Sequence, residues 1–278
     1  MGFPALLESG EPFILAEEAA YLVAYKPPDM HSVPLKSSQG PEAGTTLLAW
    51  CAEIYPELLT VRGWHPWEGG IVHRLDYATS GLVLFGRNTA ALRALRDQQG
   101  RSFFRKEYTA LSAGPSASVP PGFPPRPRKG TPPAPAAIIS AFRPYGPGGK
   151  AVRPVNAAIG PAGEIPGPKL YQTDLAAVER QGGLYAFRLG INRGFRHQIR
   201  CHLAWLGYPI LNDPLYGGAA AGSCLALQAW KIAFQDPLSG QRREYALAGS
   251  VDYSNRQGLT EAAPALRRAP YPCGVKNS

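Results

Sequence analysis

The stretch VHRLDYATSGLVLF, residues 72–85, gathers His73, Arg74 and Asp76 within four positions, followed by a small polar turn that ends at Gly81. Ile71 and Val72 lead in, and LVLF leads out. Apolar runs on both sides of YATS predict two short strands, IVHRLD and GLVLFG, with a charged cluster at the tip between them. A carboxylate set beside an arginine at such a tip faces something outside the sheet.

Working outward, FILAEEAAYLVAY, residues 13–25, predicts two more strands around an acidic turn. The prolines of KPPDMHSVP then predict a loop. TTLLAWCAEIY has helical apolar spacing with Thr45 or Thr46 as its cap. TAALRALRDQQG predicts a helix with Leu92 and Leu95 inward, stopped by Gly100. KEYTALSAG, AIISAFRPY, KLYQTDLAAVER, GLYAFRLGIN, CLALQAWKIAF and REYAL read as strands, and HQIRCHLAWLG as a helix ended by Gly207. Strands come in runs, not in regular alternation with helices. The expected fold class is therefore α+β, a mixed, mostly antiparallel sheet with flanking helices. We expect one domain over residues 1–278, interrupted by a Pro-rich basic insertion at about 113–137. Residues 115–135 hold nine prolines with Arg126, Arg128 and Lys129, which predicts an exposed loop without regular structure. It is either an arm that touches RNA or a tolerated insertion, and the low cost of added loop length favours the insertion.

Hydrophobic residues make up 45% of the 278, enough for a core and too many for global disorder. Lys and Arg number 29 against 20 Asp and Glu, a net charge of +9 that favours a polyanionic partner, nucleic acid or an anionic membrane. No run approaches the ~18 apolar residues of a spanning helix. No signal peptide is visible, and MGFPALL lacks the Ser or Thr of a myristoylation signal. The expectation is a soluble cytoplasmic chain, probing nucleic acid and no membrane. Cys51, Cys201, Cys224 and Cys273 are scattered, as free thiols of a reducing compartment would be.

The helix that begins near His197 buries Ile199, Leu203 and Leu206 at i, i+4 and i+7. Arg196, His197 and Arg200 fall on another face of its first turn. Two guanidiniums at a helix start oppose the positive end of the dipole unless an anion sits there, a phosphate or a buried carboxylate such as Asp76. An arginine beside Asp76 would lower its pKa and keep it ionised. His197 and His202 are five apart, poorly matched as metal ligands, so no metal is expected. Cys201 is mid-helix with no base, and Ser80 lacks a nucleophile-elbow pattern.

VHRLDYATSGLVLF resembles the signature of the RluA family of pseudouridine synthases, in which HRLD-x-x-TSG surrounds the catalytic Asp. LVAYKPPDM is similar to that family's first motif, KEYTAL to the segment of the active-site Tyr, and GFRHQIRCHLAWLGYPILNDPLYG to its third motif. The likeness runs from about residue 20 to 247. Three positions depart from it. Gly194-Phe195-Arg196 replaces the usual Gly-Arg-Thr, Asp29 stands where Gly is usual, and Gln228 replaces a common His. The catalytic pattern starts almost at once, so no separate S4-like RNA-binding domain is expected.

The resemblance implies a pseudouridine synthase catalytic fold and an isomerase that detaches uracil from C1′, turns it and rejoins it through C5 in rRNA or tRNA. It implies no cofactor, since nothing is oxidised or hydrolysed, and a monomer is the default. It makes Asp76 the essential carboxylate, Arg200 its partner and Tyr108 an aromatic wall whose hydroxyl assists at C5. Asp76 would add to C1′, add to the base, or remove a sugar proton; the three stay open. The target must flip out of its stem to reach it. Arg74 would fill the vacated space or hold a phosphate. His73 would do the same or cap its strand. Lys26 would contact phosphate or be solvated, and Arg196 and His197 complete the expected RNA contacts. The competing reading is a non-catalytic RNA-binding or ribosome-assembly protein on the same fold.

Overall fold

The strand Tyr21–Lys26 shows no exposed position along its length, and its residues alternate between two separate apolar layers. Leu22 and Ala24 join one cluster with Leu47 and Leu203; Tyr21, Val23 and Tyr25 join another with Leu92 and Phe234. A strand buried on both faces must sit inside a covered sheet. The computed structural model describes residues 3–4, 10–34, 46–99, 101, 103–127, 134–155, 169–181, 183–247 and 250–251. In these, the strands are β1 Phe3–Pro4, β2 Phe13–Glu17, β3 Tyr21–Lys26, β4 Ser80–Gly86, β5 Arg105–Ser112, β6 Ala136–Tyr145, β7 Ala151–Val155, β8 Tyr171–Gln181, β9 Leu184–Ile191, β10 Leu227–Gln235, β11 Arg242–Ala246 and β12 Ser250–Val251. The helices are α1 Leu47–Ile54, α2 Thr89–Asp97 and α3 Gln198–Leu206.

A ten-stranded sheet runs β2-β3-β4-β10-β5-β9-β8-β6-β7, with β11 also paired to β10. Its pairs are antiparallel except β4 with β10. The fold is α+β with a mixed, mostly antiparallel sheet, as the runs of strands predict. Helices α1 and α3 pack on one layer and α2 on the other. Thr46 caps α1 through its side chain and Asn88 caps α2.

The parallel pair positions the site. Gly81 lies opposite Ala229, and Ala229 lies opposite Tyr108, so β4, β10 and β5 bring the turn before Gly81 close to Tyr108. Gly81 has φ +128°, and a β-carbon there would sit 2.3 Å from the Ala229 carbonyl oxygen. Only glycine fits that crossing.

IVHRLD is not a strand. Ile71 makes a single bridge to Phe85, and residues 73–76 are irregular. The cause is local: Val72 N–H reaches the Leu84 carbonyl, but Leu84 N–H goes to the His73 ring instead of a backbone carbonyl (3.4 Å), which ends the ladder. Side chains then take over. Arg96 donates to the Ile71 carbonyl (2.7 Å), Gln99 to the Val72 carbonyl (2.7 Å), and Ser32 Oγ exchanges two 3.1 Å bonds with Leu75. Strand β7 escapes the sequence reading because Pro154 interrupts it; as the sheet's last strand it tolerates that proline.

Over residues 115–127 the proline-rich segment is the largely exposed loop expected, with an anchorage that composition does not show. These residues lack regular structure but dock on the end of α3. Trp205 Nε1 donates to the Pro125 carbonyl (2.9 Å), Ser116 N–H to that of Gly207 (2.7 Å), and Arg126 to that of Ser116. Val119 and Phe123 pack against the core. Arg128 and Lys129 lie outside the described residues.

Candidate active site

Lys26 ends β3 with no exposed surface. Its ammonium donates to the carbonyls of Pro27 (2.8 Å), Met30 (2.8 Å) and Tyr77 (3.0 Å). Those three bonds use all its protons and tie the KPPDM loop to the turn after Asp76. Burial pushes its pKa down to about 7, against the pull of Asp76 and Asp29. The expected phosphate contact therefore gives way to a scaffolding role. Asp29 takes φ 56°, the left-handed conformation that the usual glycine would adopt, so the departure leaves the turn's shape available.

The turn itself closes through Thr79 N–H on the Asp76 carbonyl (3.0 Å). It aims the Asp76 carboxylate at the start of α3, where the backbone N–H of His197 acts on it. His197, at φ 55°, is the last residue before that helix. An anion at a helix start is the arrangement the arginine pattern predicts. Arg200 Nη1 stands 3.9 Å from Asp76 Oδ2. Burial pushes the Asp76 pKa up; Arg200, the His197 N–H and Lys26 oppose that, and Asp213 adds to it. This corrects the expectation of a lowered value. A quarter of the side chain still reaches solvent, but its surroundings are poor in water, and desolvation outweighs the arginine.

Arg200 spends its fork elsewhere. Nε and Nη2 each make a 2.8 Å bond to the two oxygens of Asp213, which is fully buried. Its Cζ lies 5.5 Å from the centre of the Tyr216 ring. Tyr216 in turn accepts from Val152 N–H (2.9 Å), donates to its carbonyl (3.1 Å), and stands 3.3 Å from His197 Nδ1. Asp213 and Tyr216 belong to the DPLYG tail, which the sequence reading quotes without giving either a role. A lone Asp in an apolar run after a helix arginine is the signal that points to the pair.

Tyr108 is 5% exposed, and burial, with Asp76 second, holds its hydroxyl protonated well above the ordinary range. Asp76 thus acts electrostatically on both Arg200 and Tyr108. The remaining predicted residues are dispersed. Arg74 is exposed, with no hydrogen bond or ion pair among the described residues. His73 is buried and its Nε2 serves β4, the strand-capping alternative. His197, partly buried, is kept neutral, pushed down to about 3 by burial, Arg200 and Arg196. Arg196 is exposed and donates to the carbonyls of Gly149 (2.7 Å) and Ala151 (3.2 Å). Phe195 stacks on Phe142 at 5.0 Å and 7°. The one-place shift before HQIR therefore gives Phe195 an aromatic partner and Arg196 a hairpin to hold. Gln228 is fully buried beside Ser80 Oγ (3.4 Å). Among the described residues no three His, Cys, Asp or Glu side chains are grouped as metal ligands, and no helix is long and apolar enough to cross a membrane.

Known proteins resemble this chain in sequence and in fold. The profile of the RNA pseudouridylate synthase family matches residues 20–205. An uncharacterized RNA pseudouridine synthase of Chloroflexus aurantiacus is 32% identical over 209 residues, 74% of this chain and 57% of that protein. One of Bacillus subtilis is 31% identical over 240 residues, 84% of this chain and 67% of that protein. Ribosomal large subunit pseudouridine synthase D of Vibrio vulnificus is 28% identical over 256 residues, 84% of this chain and 65% of that protein. The chain thus spans between 57% and 67% of the length of these three relatives. Human RNA pseudouridylate synthase domain containing 1 shares the fold at TM-score 0.55 and 21% identity, over 88% of this chain and 85% of that one. With its motifs in order along one sheet and two thirds of its length matched by one profile, the chain belongs to the RNA pseudouridylate synthase family, on its RluA-type branch.

Proposed function

We propose that this protein isomerises uridine to pseudouridine in structured rRNA or tRNA, with Asp76 as the essential carboxylate. The observation that carries the reading is the placement of Asp76. A partly exposed carboxylate sits at a helix start, 3.9 Å from a buried arginine and in the field of Tyr108. The chemistry needs an ionised oxygen at the sugar or base and a wall that keeps the detached uracil from escaping. Asp76 supplies the first. Tyr108, held protonated, serves as wall and as hydrogen-bond donor. Arg200, fixed by Asp213 and Tyr216, keeps a positive charge beside Asp76 as charge shifts between base and carboxylate.

A flipped uridine costs a few kcal/mol to extrude. Exposed Arg74, two residues before Asp76, is placed to occupy the gap or hold a neighbouring phosphate. The net charge of +9 supports an RNA partner. Cys51 and Cys201 are buried free thiols, in keeping with a cytoplasmic setting, and we take this domain to work as a monomer. The experiment is pseudouridine mapping across rRNA and tRNA in a strain lacking this protein. At least one site should be lost and return with the wild-type gene; an unchanged map contradicts the proposal.

A further inference from the structure

Lys106 is a buried cation without a counter-ion. It is 4% exposed, and it has no hydrogen bond or ion pair among the described residues. Its ammonium lies 5.7 Å from the centre of the Phe104 ring. Burial alone pushes its pKa down to about 8. A charge so buried costs stability, and an anion beside it would offset that cost.

A second donor stands beside it. The His73 ring packs edge-on against the same Phe104, 5.7 Å between centres. Its Nε2 accepts the Leu84 N–H, which leaves the proton on Nδ1. Nδ1 is buried without a hydrogen-bond partner; the Arg74 carbonyl acts on it but lies outside bonding geometry. Burial, and after it the Lys106 charge, keep this ring neutral. The two groups thus flank the same Phe104 ring, and the Lys106 charge acts on the His73 ring.

This cluster is next to the site and thinly covered. Lys106 shares a face of β5 with Tyr108, two residues and roughly 7 Å further along. Above the ammonium lies exposed Gly194, where a β-carbon would come 3.4 Å from Nζ. Gly194 belongs to the loop that leads into α3, the helix whose start receives Asp76.

We propose that Lys106 Nζ and His73 Nδ1–H form an anion site for a backbone phosphate of the RNA, reached past Gly194 beside the reacting nucleotide. It deepens the reading above and rests on it for the identity of the polyanion. Lys106→Met keeps the length of the side chain and removes the charge. Binding of a fluorescent RNA stem-loop with uridines in its loop should weaken about 10- to 100-fold. The slope of log Kd against log salt should fall by about one, and the thermal midpoint should stay equal or rise. Wild-type affinity and slope in folded Lys106→Met would overturn the site. Gly194→Asp is the second variant, since a side chain there starts 3.4 Å from Nζ and can bring a carboxylate to the ammonium. It should weaken binding in the wild-type background and do so much less beside Lys106→Met; an equal loss in both backgrounds overturns the proposal. Inorganic phosphate should compete with the stem-loop for wild type more strongly than for Lys106→Met, and equal competition argues against the site. Isomerisation by wild type is read separately: RNA binding that depends on Lys106 without any pseudouridine would sink the enzyme and leave the anion site standing.

Discussion

Arg200 faces two carboxylates of unequal burial. Asp213 has no exposed surface and takes both parallel bonds, while Asp76 is a quarter exposed and stands 3.9 Å away. The division suits the proposed chemistry, in which one acid fixes the guanidinium and the other is left to meet a substrate. Asp213→Asn leaves a buried arginine with half its support, and the loss should be about 3–5 kcal/mol of stability in urea unfolding, together with a large fall in isomerisation. A loss below about 1 kcal/mol would show that Asp213 does not hold the site. At this scale the motifs single out Asp76, Tyr108 and Arg200 as candidates. Sequence alone misjudged Asp76's pKa because desolvation is a property of the folded surroundings, which no spacing reveals. It also misplaced Lys26, since a lysine at a strand end looks the same whether three carbonyls or a phosphate await it.

Among the elements, the parallel contact of β4 with β10 decides whether the Asp76 turn reaches Tyr108. Gly81→Ala forces a β-carbon to within 2.3 Å of the Ala229 carbonyl at φ +128°. We expect more than about 3 kcal/mol of destabilisation, or failure to fold, measured by chemical denaturation. A variant as stable as wild type would mean that the β4–β10 crossing is not required. Most strands and all three helices are legible from period and caps, because each has its own turn or cap signal. IVHRLD misleads, since its apolar start is real but the His73 ring replaces a ladder bond. Pro154 hides β7 in the same way. The proline run reads as loop, as its described residues 115–127 are, but their docking on Trp205 depends on a carbonyl that composition cannot place.

Over the whole molecule, buried neutral histidines set the acid limit of stability. His202 is fully buried between Ser140 Oγ (3.0 Å) and Thr173 Oγ1 (2.8 Å), and burial pushes it down to about 3. His73 is lowered as well. Their folded-state values are depressed, so below about 6.5 the unfolded chain binds protons that the native state refuses. Stability present above that pH is lost as pH falls, by about 1.4 kcal/mol per pH unit for each of these two. The thermal midpoint should fall between pH 7 and pH 5, well before ordinary carboxylates protonate; a flat midpoint over that range contradicts the assignment. The net charge of +9 favours a polyanion without identifying it, because recognition of RNA by shape leaves no short motif to read.

The most direct test of Asp76 as the reacting carboxylate compares purified wild type with Asp76→Asn, on the same RNA, for binding and for pseudouridine formed. The substitution keeps size and hydrogen-bond acceptance and removes the charge. We predict RNA affinity within about twofold of wild type and no detectable pseudouridine. Pseudouridine formed at the wild-type rate by Asp76→Asn would contradict the account at its centre.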